Sequence, residues 1–134
     1  MIGHAETIAA FDRVRDHFGV GRVVQAVALA SLRDTGHVEG VVRSVVAARA
    51  EIAEITAANG LAVIESSANF VAVDCGRDGE YARRVLAELA ALGVFVRMPG
   101  VAPLDRCIRI SAGTPAQLAV LAQALPRALQ TAAQ

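Results

Sequence analysis

Lysine is absent from all 134 residues. That removes one branch of covalent chemistry, because no side-chain amine is present to form an imine with a carbonyl compound. Tryptophan is also absent, and aromatic residues make up only 4% of the chain. Ala, Val and Leu dominate a composition that is 54% hydrophobic, which suits helices and β-branched strands and excludes a disordered chain. There is no excess of either charge: 13 basic and 13 acidic residues cancel. Nothing therefore points to nucleic acid or an anionic membrane as a partner. All the basic residues are Arg, which fits a composition-wide bias better than selection for anion binding.

Cysteine is scarce too. Cys75 and Cys107 have no CxxC spacing and no neighbouring His cluster. They read as small apolar residues in a reducing, cytoplasmic setting. His4, His17 and His37 are scattered, without the spacing of metal ligands. No Walker A, GxGxxG or GxSxG motif occurs, and Ser66-Ser67 lacks the context of a serine nucleophile. No apolar run is long enough to span a membrane, and Met1 to Glu6 lacks the basic start of a signal peptide.

The pattern along the chain predicts a short helix near 4–16 and a glycine break at His17–Gly21. A helix over 22–33 follows, apolar on nearly every side, so it needs cover all round. Asp34-Thr35-Gly36 stops and restarts the chain. Val38, Val41, Val42, Val45, Val46, Ile52 and Ile55 then mark the apolar stripe of a long helix over about 37–58, ended by Asn59-Gly60. Four strands are expected, at 61–65, 69–74, 94–97 and 107–112. Between the second and third lies an amphipathic helix over 80–92, with Asp78 as a candidate N-cap and Gly93 as its stop. Thr114-Pro115-Ala116-Gln117 is a capping box opening the last helix, which carries Leu118, Leu121, Leu125 and Leu129. Long helices over one face of a small sheet make an α+β fold.

Arg109 is the first candidate for chemistry. In the strand Cys107-Ile108-Arg109-Ile110-Ser111, alternation sends Ile108 and Ile110 to the core and Arg109 to the opposite face, with Cys107 and Ser111. A guanidinium there can grip a carboxylate through two parallel hydrogen bonds. Strand position alone favours a solvated arginine, or one paired with an acid of this chain. Arg97 ends the preceding expected strand; if the two strands are neighbours, both arginines border one cleft and favour an anion. Asn69 opens another strand, where its amide either orients a ligand or caps a turn. Arg106 reads as a solvated loop residue.

Three runs then carry a resemblance that covers essentially the whole chain: Glu65-Ser66-Ser67-Ala68-Asn69-Phe70-Val71, Gly93-Val94-Phe95-Val96-Arg97 and Ile108-Arg109-Ile110-Ser111-Ala112-Gly113-Thr114. In this order they resemble the C-terminal part of class I/II pyridoxal-phosphate-dependent aminotransferases, nearest to the histidinol-phosphate aminotransferases. Arg13 to Arg22 resembles that family's segment after the cofactor lysine, with His17 and Gly19 where the histidinol-phosphate group has Pro and Asn.

The resemblance implies a small, mainly antiparallel sheet in a C-terminal α+β domain (35–134), preceded by connecting helices (1–34) that pack on a large cofactor domain. It implies that Arg109 grips the substrate α-carboxylate, that Arg97 helps to hold a substrate phosphate, and that Asn69 lies near the mouth of the site. It further implies pyridoxal phosphate in the complete enzyme, with no covalent attachment to this lysine-free chain; the apolar helix over 22–33, without a large domain to cover it, points to a homodimer. The chain then reads as a fragment, a split subunit or a relic of an aminotransferase, or as a non-catalytic anion-binding or dimerising module derived from one.

Overall fold

The structure, a computed structural model, describes residues 3–14 and 19–134. The chain divides into two compact units, residues 1–39 and 40–134. The first holds α1 (Ala5–Asp12), α2 (Arg22–Arg33) and the start of α3 (Thr35–Ala57). α1 is shorter than the polar helix the sequence predicts. The expected break at His17-Phe18 lies outside the described residues, as does His17 itself. α2 has the predicted span and buries no residue. A single residue, Asp34, separates α2 from α3; its carboxylate accepts the His37 N–H at 3.0 Å and satisfies a donor in the first turn of α3.

The second unit is α+β. After α3 come β1 (Ala62–Ile64), β2 (Phe70–Asp74), α4 (Gly79–Ala91), a 3₁₀ turn at Leu104–Arg106, β3 (Cys107–Ser111) and α5 (Pro115–Ala132). The strands form an antiparallel sheet in the order β1-β2-β3. Its core follows from two periodicities. Val71 and Val73 of β2, with Ile108 and Ile110 of β3, are buried at every second position. Ala48, Ile52 and Thr56 lie four apart on α3 and share one buried face. Ala82, Val85 and Leu89 of α4 and Leu118, Leu121, Leu125 and Ala128 of α5 complete the cluster. Thr56 is the one polar residue buried among the described residues, and its Oγ donates back to the Ile52 carbonyl at 2.9 Å.

Local signals hold the ends of these elements. Asp78 caps α4 by accepting the Tyr81 N–H at 2.9 Å. Gly60 and Gly93 end α3 and α4 in the left-handed region, at φ +72° and +80°. At α5, Gln117 N–H donates to Thr114 Oγ and Thr114 N–H donates to the Gln117 side chain, closing the capping box.

The fourth strand is corrected. Residues 94–97 pair with the sheet only through a single bridge, Arg97 to Arg109. The chemistry of the next pair explains why. Arg97 and Arg109 exchange both backbone hydrogen bonds, so the next such pair in one direction would be 99 with 107. Pro99 has no N–H to donate. In the other direction residues 93–96 and 110–113 both line an open cleft of about 530 Å³.

Candidate functional site

The open face of the sheet is set by parity. Val71, Val73, Ile108 and Ile110 take the core, so Phe70, Ala72 and Asp74 of β2 and Cys107, Arg109 and Ser111 of β3 share the other face. Within it, Ile64, Ala72, Arg109 and Arg97 are consecutive cross-strand partners. Arg109 N–H donates to the Arg97 carbonyl at 2.6 Å, and Arg97 N–H donates to the Arg109 carbonyl at 3.1 Å. Residues paired this way sit about 5.5 Å apart at Cα and point to the same side. The structure therefore brings two of the three predicted site residues together.

Two like charges directly opposite each other disfavour the fold unless something neutral or anionic separates them. Among the described residues neither arginine has an acidic partner. Arg97 is exposed, while Arg109 is half-buried with its guanidinium carbon 4.5 Å from the centroid of the Phe70 ring. Arg109 Nε is buried without a hydrogen bond. Leaving such a donor unpaired costs about 1–3 kcal/mol, more for a charged group. The site is thus a cationic pair on an open face, held by backbone bonds on one side and an aromatic ring on the other.

Asn69 is not gathered into this pair. It is exposed at the end of β2, where its carbonyl accepts the Ala112 N–H at 2.8 Å and so extends the ladder by one residue. The loop before it is pinned twice: Arg49 of α3 donates to the Ala68 carbonyl at 2.8 Å, and Ser66 Oγ donates to the Phe70 carbonyl at 2.7 Å. Those bonds set where Asn69 stands. The cleft beside α5 is lined mainly by Val94, Val96, Ile110, Leu118 and Leu121, and neither arginine contributes to it.

Two features went unread in the sequence. Phe70 alternates with the buried Val71 and Val73, a signal that places it on the arginine face, but its stacking partner is set by the β2–β3 register. Arg106 is an exposed loop residue, as expected, but it is not free: its Nε and Nη2 meet the two Asp74 oxygens at 2.9 and 2.8 Å. The β3 register puts Cys107 opposite Asp74, so residue 106 falls beside that carboxylate. Burial alone would raise the Asp74 carboxyl; hydrogen bonds from Arg106 and the Gly76 N–H, with the Arg106 charge, outweigh it and hold the group below its ordinary value. Burial pushes the Cys75 thiol up to about 11 and raises Cys107 as well, so both stay protonated near neutrality. Cys107 is buried although it shares the arginine face. Among the described residues no cluster of His, Cys, Asp or Glu is placed to hold a metal.

The sequence model of the family "Aminotransferase class I and II" matches residues 1–125. The chain belongs to this family. It is 34% identical over 129 residues to histidinol-phosphate aminotransferase 1 of Cupriavidus pinatubonensis, covering 96% of this chain and 34% of that protein. It is 35% identical over 131 residues to histidinol-phosphate aminotransferase 2 of Ralstonia nicotianae, covering 98% and 35%. Its fold matches the crystal structure of histidinol-phosphate aminotransferase from Sinorhizobium meliloti in complex with pyridoxal-5′-phosphate, with a TM-score of 0.89 and 46% identity over 94% of this chain and 34% of that one. This aminotransferase-family chain therefore spans about a third of the length of the relatives it matches. No helix among the described residues is long and apolar enough to cross a membrane.

Proposed function

We propose that this chain is the substrate-carboxylate-binding, C-terminal part of a cytoplasmic pyridoxal-phosphate-dependent aminotransferase like the histidinol-phosphate enzymes. Its reaction is amino-group transfer between an amino acid and a 2-oxo acid. One observation supports the reading above the others: in a chain of this family, Arg97 and Arg109 face each other on an open sheet face without an acidic partner among the described residues. Arg109 takes the α-carboxylate through its fork, and Arg97 adds charge for a second anionic group such as a phosphate. Asn69, at the pinned end of β2, borders the mouth.

The residues of this chain do not fit covalent attachment of the cofactor, because no lysine is present. This chain's contribution is to bind and orient substrate, and the cofactor lysine comes from a large domain or companion chain. In this reading residues 1–34 are the connecting helices that pack on that large domain, residues 35–134 are the small domain, and the assembly is a homodimer.

The absent lysine also favours a second reading, in which the chain is a non-catalytic anion-binding or dimerising module. A chimaera separates the two, with this chain replacing the matched third of the Sinorhizobium meliloti enzyme. The aminotransferase reading expects transaminase activity, and a KM for the amino acid raised at least about tenfold by Arg109→Lys, which loses the two-pronged bond. A folded chimaera without activity, or one indifferent to that substitution, supports the binding module instead.

A further inference from the structure

Phe70 has no part in the proposed function, yet its ring lies against the Arg109 guanidinium. The ring stands one register step along the same face: Phe70 pairs with Ser111, and Arg109 with Ala72. The guanidinium lies over the ring with Cζ 4.5 Å from its centroid. Of the three guanidinium nitrogens, Nε alone is buried without a hydrogen bond. A guanidinium offers two edges to a carboxylate, one through Nε and Nη2 and one through Nη1 and Nη2. Here the Nε edge is sealed and one flat face is covered.

We propose that Phe70 is the positioning residue for Arg109: its ring holds the guanidinium plane so that the Nη1/Nη2 edge, not the Nε edge, meets an incoming carboxylate. The inference rests on the carboxylate-binding reading of Arg109. The physical gain is preorganisation. A free arginine must give up several rotatable bonds when it binds, whereas one already stacked gives up fewer. A ring supplies this hold through its negative face; an aliphatic side chain of similar bulk fills the space without it.

The test uses the 134-residue chain. Arginine Nε–H resonances are followed by ¹⁵N-edited NMR while acetate is added, in the parent, Phe70→Leu, Phe70→Met and Phe70→Tyr. In the parent, the Arg109 Nε–H is shifted upfield by the ring and exchanges slowly, and acetate moves the Nη signals more than Nε. Phe70→Leu returns the Nε–H to the bulk arginine position and weakens acetate binding about three- to tenfold, the range such a contact supports. Phe70→Tyr restores both. Phe70→Met is read in place of Leu if the Leu variant loses its dispersed backbone spectrum. An Nε–H already at the bulk position in the parent overturns the proposal, as does acetate affinity unchanged by Leu or Met. Should acetate move no Arg109 signal in any form, the carboxylate reading fails, and the ring-shifted Nε–H still decides whether Phe70 holds the side chain.

Discussion

Arg97 and Arg109 are locked opposite each other by a reciprocal pair of backbone hydrogen bonds, which sets both side chains on the same open face. The placement sets like charge against like charge at a point where the backbone allows little retreat. Such opposition is destabilising by a few tenths to about 1 kcal/mol. Arg97→Gln therefore raises the melting temperature of the chain by a few degrees at low salt. The gain shrinks near 1 M salt, where the Debye length falls to about 3 Å. Paired melts at the two salt concentrations check it. A lower melting temperature that salt does not change would show that Arg97 is held by a local attraction instead.

The Asp74–Arg106 pair ties the 3₁₀ turn to β2, and Arg106 O also accepts the Cys75 N–H at 3.1 Å. The Asp74 carboxyl is held below its ordinary value in the fold. A depressed carboxyl contributes stability above its unfolded pKa, and the contribution is lost as pH falls through the folded value. Asp74→Asn is expected to lower the melting temperature at pH 7 by a few degrees, a modest loss because both partners are partly exposed. The gap between parent and variant closes below about pH 4. A gap of constant size from pH 7 to pH 3 would assign the loss to packing.

α2 leaves Val23, Val24, Val27, Leu29 and Leu32 exposed, with Val23 at 77% and Leu32 at 75%. Burying one such side chain is worth about 1.5–3 kcal/mol, so several together favour association. The isolated chain is expected to form a two-fold dimer through this helix. Val23→Glu with Val27→Glu, one turn apart, should return it to monomer. Light scattering over the micromolar range reads both. A parent that stays monomeric while residues 22–33 resist hydrogen exchange would show that the chain covers the helix by itself.

What was legible in the sequence was local. The capping box at Thr114–Gln117, the cap at Asp78 and the stops at Gly60 and Gly93 each depend on residues within a few positions, and each stands where the pattern places it. The Ile108-Arg109-Ile110 alternation likewise assigns a face without knowledge of any partner strand. The non-local features were not legible. Val94–Val96 carry strand propensity, yet Pro99 lacks the donor for the next pair and the chain parts from β3 along the cleft. The Arg106–Asp74 bond and the Phe70–Arg109 stack both depend on the β2–β3 register, which no single segment encodes. The pairing of Arg97 with Arg109 was conditional on neighbouring strands. The structure supplies that adjacency through one bridge rather than a full strand.

The most direct measurement of the central claim is carboxylate protection of Arg109. Phenylglyoxal modifies accessible arginines, and mass spectrometry assigns the rate at each one in the 134-residue chain. Acetate and chloride are compared at equal ionic strength, so that screening is the same in both. If the arginine pair is a carboxylate site, acetate slows modification of Arg109 several-fold and of Arg97 to a lesser degree. Exposed Arg83 and Arg127, on α4 and α5, react at the same rate in either salt. Equal rates at Arg109 in acetate and chloride, or protection no greater than at Arg83 and Arg127, would contradict the claim.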